Sequence, residues 1–201
     1  MHFNLGRSGR AVMVGLVCWL LVGLVCWLLP LWSVRAQSPP SNLSALKGEM
    51  KVFEAVIDET MAQTFAPPFG LLEKTQGTYL PGFGLAFSLE VNLYPTRAPN
   101  PFNMTPVSKA ELEKARKGRL ERIAIVKAVV PRLLADHAMS LRNLNSDDSV
   151  AVVVHLFEMD PGDGNLPGQL VIETRKSDLN GFWDKKISYE ELVGRLKILE
   201  L

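Results

Sequence analysis

Cysteine is almost absent from this sequence, and its position limits the chemistry that the rest of the chain can carry. The only two cysteines, Cys18 and Cys26, lie in an apolar run near the N-terminus. The remainder of the chain therefore offers no disulfide, no zinc–thiolate site, no Cys-x-x-Cys redox pair and no cysteine nucleophile. A folded domain there must be stabilised by burial of apolar side chains alone.

An excess of charge of either sign is also missing. The formal net charge is +1 over 201 residues. Removing residues 1–36 takes away three arginines and none of the 21 acidic residues, so the remainder becomes slightly negative. This balance argues against a nucleic-acid or polyanion binder, and no nucleic-acid partner is expected.

Motifs of familiar enzymes are absent as well. The sequence has no Gly-x-Ser-x-Gly elbow and no His-Glu-x-x-His pair. Asp136 and His137 are adjacent on a predicted helix, where successive side chains diverge by about 100° and do not form a dyad. We therefore assign no catalytic, cofactor-binding or metal-ligating residue, and expect no cofactor and no metal.

The stretch from Asn180 to Leu192 resembles the end of an EF-hand calcium loop. In that alignment Asp184 and Glu191 take ligand positions. Phe182 stands at another ligand position, and Lys185 replaces the glycine that permits the turn, so the stretch does not indicate calcium binding.

One long uncharged run, from Ala11 to Val34, follows Arg7 and Arg10 and contains the octapeptide VGLVCWLL twice in tandem. As a helix this run would be about 36 Å long, enough to cross a hydrocarbon core of about 30 Å. We interpret residues 1–36 as a signal peptide or a signal-anchor helix, with the positive end in the cytoplasm.

The compartment of the remaining chain follows from this segment. Cleavage after Ala36 would release a periplasmic or extracellular domain. Retention would leave residues 11–34 in the cytoplasmic membrane with the C-terminal domain outside. Residues 37–45 form a polar, proline-bearing linker, and residues 46–201 are expected to form a single extracytoplasmic domain.

Apolar periodicity within that domain predicts an α+β fold. Helical spacing predicts helices over residues 45–65, over 108–130 with continuation past a kink or break at Pro131, and over 188–199. Ser44 is the expected cap of the first helix, and the Ser-x-x-Glu spacings at Ser108 and Ser188 are capping boxes for the other two. Strand signals cover residues 78–93, 149–157 and 169–175. The valine-rich stretch 149–157 is typical of a central strand covered on both faces. We expect a small antiparallel sheet of three to four strands packed by helices.

Several polar residues admit two interpretations. His155 shares a strand face with Val153 and is expected to be a core histidine with a hydrogen-bond partner. Alternatively, His155, Tyr79 and Glu90 assemble the site of a small hydrolase. The carboxylates of Glu54, Asp58 and Glu59 are expected on the solvated side of the first helix.

The functional prediction is an exported or membrane-anchored, non-catalytic module that binds an unknown protein or small molecule. The first alternative is a small extracytoplasmic hydrolase near His155. The second is a membrane-associated assembly factor, in which a basic half-helix contacts anionic lipid. The favoured interpretation of that half-helix is a solvated face whose arginine stems cover apolar surface; its basic residues are Lys114, Arg116, Lys117, Arg119 and Arg122.

Overall fold

The architecture comes from a computed structural model that describes residues 42–94, 108–157 and 166–201. The predicted signal or anchor segment, its cleavage point after Ala36 and most of the linker lie outside these residues. Among the helices that are described, none is both long and apolar enough to cross a membrane.

The described residues form four α-helices, one short 3-10 helix and five strands. In chain order these are α1 (Leu43–Thr64), β1 (Gly70–Leu80), β2 (Gly84–Asn92), α2 (Lys109–His137), the 3-10 helix Ala138–Ser140, β3 (Ser149–Leu156), β4 (Gln169–Arg175), α3 (Lys176–Trp183), α4 (Tyr189–Arg195) and β5 (Lys197–Glu200).

The five strands make one mixed sheet in the order β1-β2-β3-β4-β5. Three of the four pairings are antiparallel, whereas β2 and β3 run parallel. The α+β class is confirmed, but the expected antiparallel sheet of three to four strands is wrong in strand number and in the central pairing. The parallel pair arises because α2 connects β2 to β3 and returns the chain to the same end of the sheet.

The sequence patterns missed β5 and most of β1, of which only residues 78–80 fall within the strand predicted over residues 78–93. β1 has two register irregularities against β2, so its side chains do not alternate regularly and the strand signal is lost. At the C-terminus, Leu199 continues the helical spacing of Leu192 and Leu196, which predicted one helix. The chain instead leaves α4 at Arg195 and pairs as β5 with β4.

The helix boundaries follow local chemistry. The Asn42 side chain caps α1 by accepting a hydrogen bond from the Ala45 amide at 3.0 Å, where Ser44 had been the expected cap. Complete capping boxes are present at Ser108 and Ser188, as predicted. The expected continuation past Pro131 is confirmed, since α2 runs through this residue to His137 without a break.

The hydrophobic core lies on one face of the sheet. Phe53 of α1 packs on Phe87 of β2 with ring centroids 4.9 Å apart. All strand residues of the core lie on this face, and the helices α1, α2, α3 and α4 contribute the other core side chains. The core residues of β2, β3 and β4 are Leu85, Phe87, Leu89, Val91, Val150, Val152, Val154, Leu156, Leu170 and Ile172. The domain is therefore a two-layer structure in its described part.

The edge strand β1 is closed by carboxylates of α1. The Thr75 amide donates to Asp58 Oδ1 and the Gly77 amide to Glu54 Oε1, both at 2.8 Å. Glu54 is only 7% exposed and also binds Lys51. The expectation that these two carboxylates lie on the solvated side of the helix is wrong, since they satisfy backbone donors that an edge strand would otherwise leave free.

Replacing Glu54 with alanine is expected to lower the free energy of unfolding by about 1–2 kcal/mol, because the Gly77 amide loses its buried acceptor. Urea unfolding with an unchanged slope would measure this loss. Glu59→Ala is the matched control, since Glu59 is exposed on the same helix and bonds only Gln63. Equal effects of the two substitutions would contradict the role given to Glu54.

Candidate functional site

The second face of the sheet carries no helix in the described part of the chain. The strand registers align its side chains in rows across all five strands. We call this surface the uncovered face; it comprises Glu73, Gln76, Thr78, Leu80, Ala86, Ser88, Glu90, Ser149, Ala151, Val153, His155, Gln169, Val171, Glu173, Arg175, Lys197 and Leu199. Ala151 is only 3% exposed, and the other residues of this face lie outside the hydrophobic core. The expectation that β3 is covered on both faces is therefore wrong.

His155 lies exposed on the uncovered face, so its interpretation as a core histidine is wrong. Its Nε2 atom is 3.1 Å from Ser88 Oγ. Glu90 stands opposite His155 in the β2–β3 register. A hydroxyl is thus within reach of the imidazole, and a carboxylate is on the neighbouring strand.

Tyr79 does not join this group. It pairs with Leu85 in the β1–β2 register and packs against the core, on the face of the sheet opposite to His155. Burial, and then the negative charge of Asp148, raise the pKa of the Tyr79 phenol above its ordinary value. The hydrolase site proposed from His155, Tyr79 and Glu90 therefore does not assemble in the described fold.

Three concave surfaces of the described part are lined mainly by helix residues. One of about 450 Å³ separates α1 from β1 beside Met50 and Tyr79, one of about 760 Å³ runs from α1 to His137, and one of about 630 Å³ lies along Gly118 of α2. His155 lines none of these three. The imidazole sits on a broad surface that excludes little water, which is a poor setting for general base catalysis.

The basic half of α2 divides into buried and exposed side chains. Arg119 is fully buried and donates from Nη1 to the Tyr94 hydroxyl at 2.8 Å. The Arg122 guanidinium carbon lies 3.5 Å from the Phe69 ring centroid. Lys114 and Lys117 are exposed. Two of the five cations therefore serve packing within the domain, which matches the interpretation in which arginine stems cover apolar surface.

Buried polar groups gather at the end of the sheet where β3 begins. Asp148 is fully buried, and its Oδ2 accepts from the Asn145 amide at 3.3 Å and Nδ2 at 3.1 Å. Its Oδ1 has no hydrogen-bond partner. Lys176 is buried next to this segment and donates from Nζ to the Ala138 carbonyl at 2.7 Å. Burial lowers the pKa of Lys176, against an opposite effect of Glu49.

Asp148→Asn is expected to stabilise the protein at neutral pH. Burial raises the pKa of Asp148 above its unfolded value of about 3.9, and the Asn145 hydrogen bonds offset this only in part. Stability contributed by the protonated carboxyl is complete below pH about 3.9 and is lost as pH rises through the folded-state pKa. Melting temperatures of both proteins from pH 4 to 8 should therefore diverge with rising pH; a constant or reversed difference would contradict this.

No group of three or more His, Cys, Asp or Glu side chains that could hold a metal ion occurs within residues 42–94, 108–157 and 166–201. The stretch that resembles an EF-hand loop instead forms the end of α3 and the start of α4. Lys185 has a φ of 56° there, so this position does adopt the left-handed conformation that a glycine would favour.

Comparison of the chain with models of protein families, with curated proteins and with solved structures gives no match. The candidate site therefore depends on the geometry of this chain alone. Sequence periodicity could not reveal the uncovered face, because Val153 and Val171 on it are as apolar as the valines of the core. The available signal was Ser88, Glu90 and His155 at alternate positions of otherwise apolar strands.

Proposed function

We propose that residues 46–201 form a non-catalytic, extracytoplasmic interaction module that binds a protein partner through the uncovered face. The observation that carries this proposal is an exposed five-stranded surface with Leu199 at 51% and Leu80 at 43% exposure. Exposed apolar side chains on a sheet face, rimmed by polar residues, typically mark a protein contact site. A small ligand is favoured less, because its binding sites are concave whereas this face is a broad sheet surface.

Export is the second part of the proposal. The uncharged run between Ala11 and Val34, behind two arginines, supports secretion or anchoring of the domain outside the cytoplasm. Such a domain, lacking cysteine, depends on its one-sided core for stability. The exposed face is then available to partners in the same compartment.

Site-specific photo-crosslinking tests the binding role. A photoreactive amino acid at Leu199 of the full chain, illuminated in cells that express it, should give a discrete protein adduct. The control is the same amino acid at Val52, which is 57% exposed on α1. Adducts from Val52 alone, from both positions equally, or from neither would contradict the proposal.

The Ser88–His155 contact favours one second candidate, a small hydrolase with Ser88 as nucleophile and His155 as base. This candidate requires that the purified chain hydrolyse a simple ester such as p-nitrophenyl acetate. Ser88→Ala and His155→Ala should then each lower the rate more than about 100-fold. The interaction module predicts equal rates for the three proteins.

A further inference from the structure

The uncovered face has an apolar stripe that crosses the sheet diagonally. The registers place Gln76, Ser88, Val153, Val171 and Leu199 in one row and Thr78, Ala86, Ala151, Glu173 and Lys197 in the next. Leu80 lies one row beyond the second, on β1. The apolar residues therefore shift from the outermost row on β1, through the second row on β2 and β3, to the first row on β3, β4 and β5. In that order they are Leu80, Ala86, Ala151, Val153, Val171 and Leu199.

Opposite charges flank this stripe. On one side, Glu73 and Glu90 stand directly opposite each other on β1 and β2. On the other side lie Arg175 of β4 and Lys197 of β5, and Lys197 reaches Glu173 at 3.3 Å. Within the described part of the chain, Glu73, Glu90 and Arg175 take part in no ion pair. Two like charges facing each other across strands are unfavourable unless a cation approaches them.

This arrangement is complementary to itself. A two-fold axis along the stripe places the acidic side of one copy over the basic side of the other, and it does so twice. The strands of the two stacked sheets would cross at a large angle, which is an established mode of sheet packing. A different protein would need to supply this same charge pattern, whereas a second copy has it by symmetry.

We infer that the partner of the uncovered face is a second copy of this chain, with Arg175 of each copy against Glu73 and Glu90 of the other. This inference rests on the proposed function, since it names the partner of that same face. The apolar stripes meet along the axis and exclude water, and the two charged contacts fix the crossing angle.

The area of the face suffices for such a dimer. Five strands spaced by about 4.8 Å, with seven residues of about 3.3 Å each, cover about 550 Å² on each copy. The contact then buries about 1,100 Å² in total, just above the roughly 1,000 Å² that a specific interface requires. A dimer of this size is expected to be reversible.

Charge reversal and its rescue test the inference on the full chain, purified in detergent micelles. The protein mass in the micelle is measured by light scattering, with the detergent contribution subtracted. We expect the unchanged chain to be a dimer.

Arg175→Glu or Glu90→Arg alone should weaken dimerisation about 100-fold, because each creates two like-charge contacts. The double variant R175E/E90R should recover much of the lost dimerisation, since the charges at positions 175 and 90 are exchanged while Glu73 stays acidic. Both residues lie on the sheet surface outside the core, and the double variant also shows that neither change prevents folding.

Two results would overturn the inference: a monomeric unchanged chain, or a dimer whose stability is the same in all four proteins. The second result would place self-association elsewhere in the chain. Neither result would by itself remove the proposed function, because a photo-adduct from Leu199 with the mass of a different protein would still support it. Absence of any adduct from Leu199 would remove the proposed function itself.

Discussion

Gly84→Ala is expected to destabilise the folded protein by about 3 kcal/mol or more. Gly84 has a φ of +126°, a conformation that side-chain-bearing residues rarely adopt. A Cβ atom there would lie 2.2 Å from the carbonyl oxygen of Ser149 and 2.8 Å from its amide nitrogen. These are backbone atoms of β3, so the clash is relieved only by separating the first pair of the parallel ladder.

Urea or thermal unfolding measures this effect, and Gly48→Ala provides the control. Gly48 lies in α1, where an added Cβ meets no atom within 4 Å. Alanine is favoured over glycine in a helix by about 0.5–1 kcal/mol, so this substitution should stabilise the protein. A loss below about 1 kcal/mol for Gly84→Ala would show that the β2–β3 junction is not packed as described.

Arg119→Ala is the substitution with the second large effect, and it is expected to lower the free energy of unfolding by about 3–4 kcal/mol. Arg119 is among the largest fully buried side chains of the domain. Its guanidinium carbon lies 4.5 Å from the Tyr94 ring centroid, and Nη2 donates to the Pro167 carbonyl at 3.4 Å. Alanine would remove these contacts and would open a void between α2 and the start of β4.

Lys117→Ala is the control for this prediction, since Lys117 is an exposed cation of the same helix. Its effect should stay within about 0.5 kcal/mol. Equally small losses of unfolding free energy for the two variants would show that Arg119 belongs to the solvated basic face and is not a packing residue. The expected difference also limits tests of lipid binding, because neutralising Arg119 would destabilise the fold at the same time as it removes a positive charge.

Local chemistry in the sequence predicted much of the fold. The Ser-x-x-Glu spacing at Ser108 and Ser188 identified two helix starts, because each capping box is complete within four residues. The alternation from Leu85 to Val91 identified the buried face of β2 in the same way. Local signals were not always sufficient, since the helical spacing of Leu192, Leu196 and Leu199 predicted one helix where the chain forms α4 and then β5.

Features that depend on distant residues were not predictable. Glu54 has the spacing of a solvated helix residue, and it is buried only because the edge strand lies against it and donates the Gly77 amide to its carboxylate. Arg119 appears in a cationic run, yet Tyr94 and Pro167 from two other segments enclose it. His155 was assigned to the core because its strand is apolar on both sides, and the sequence does not state which side the helices cover.

The parallel pairing of β2 and β3 is another feature that neighbouring residues do not determine. A long helix between two strands permits either a crossover to a parallel partner or a return to a distant antiparallel one. Residue patterns in β2 and β3 are compatible with both. The choice determines which strands are central, and hence which side chains form the rows of the uncovered face.

Thiol protection in intact cells tests the central claim, that an exported domain uses its uncovered face as a contact surface. Full chains with Cys18 and Cys26 replaced by alanine would carry one cysteine, at Leu199 or at Val52, which are similarly exposed. A membrane-impermeant maleimide should label Val52→Cys rapidly in intact cells, and Leu199→Cys far more slowly until the protein is denatured. Equal labelling of the two in intact cells would contradict the contact surface, and labelling of Val52→Cys only after lysis would contradict export.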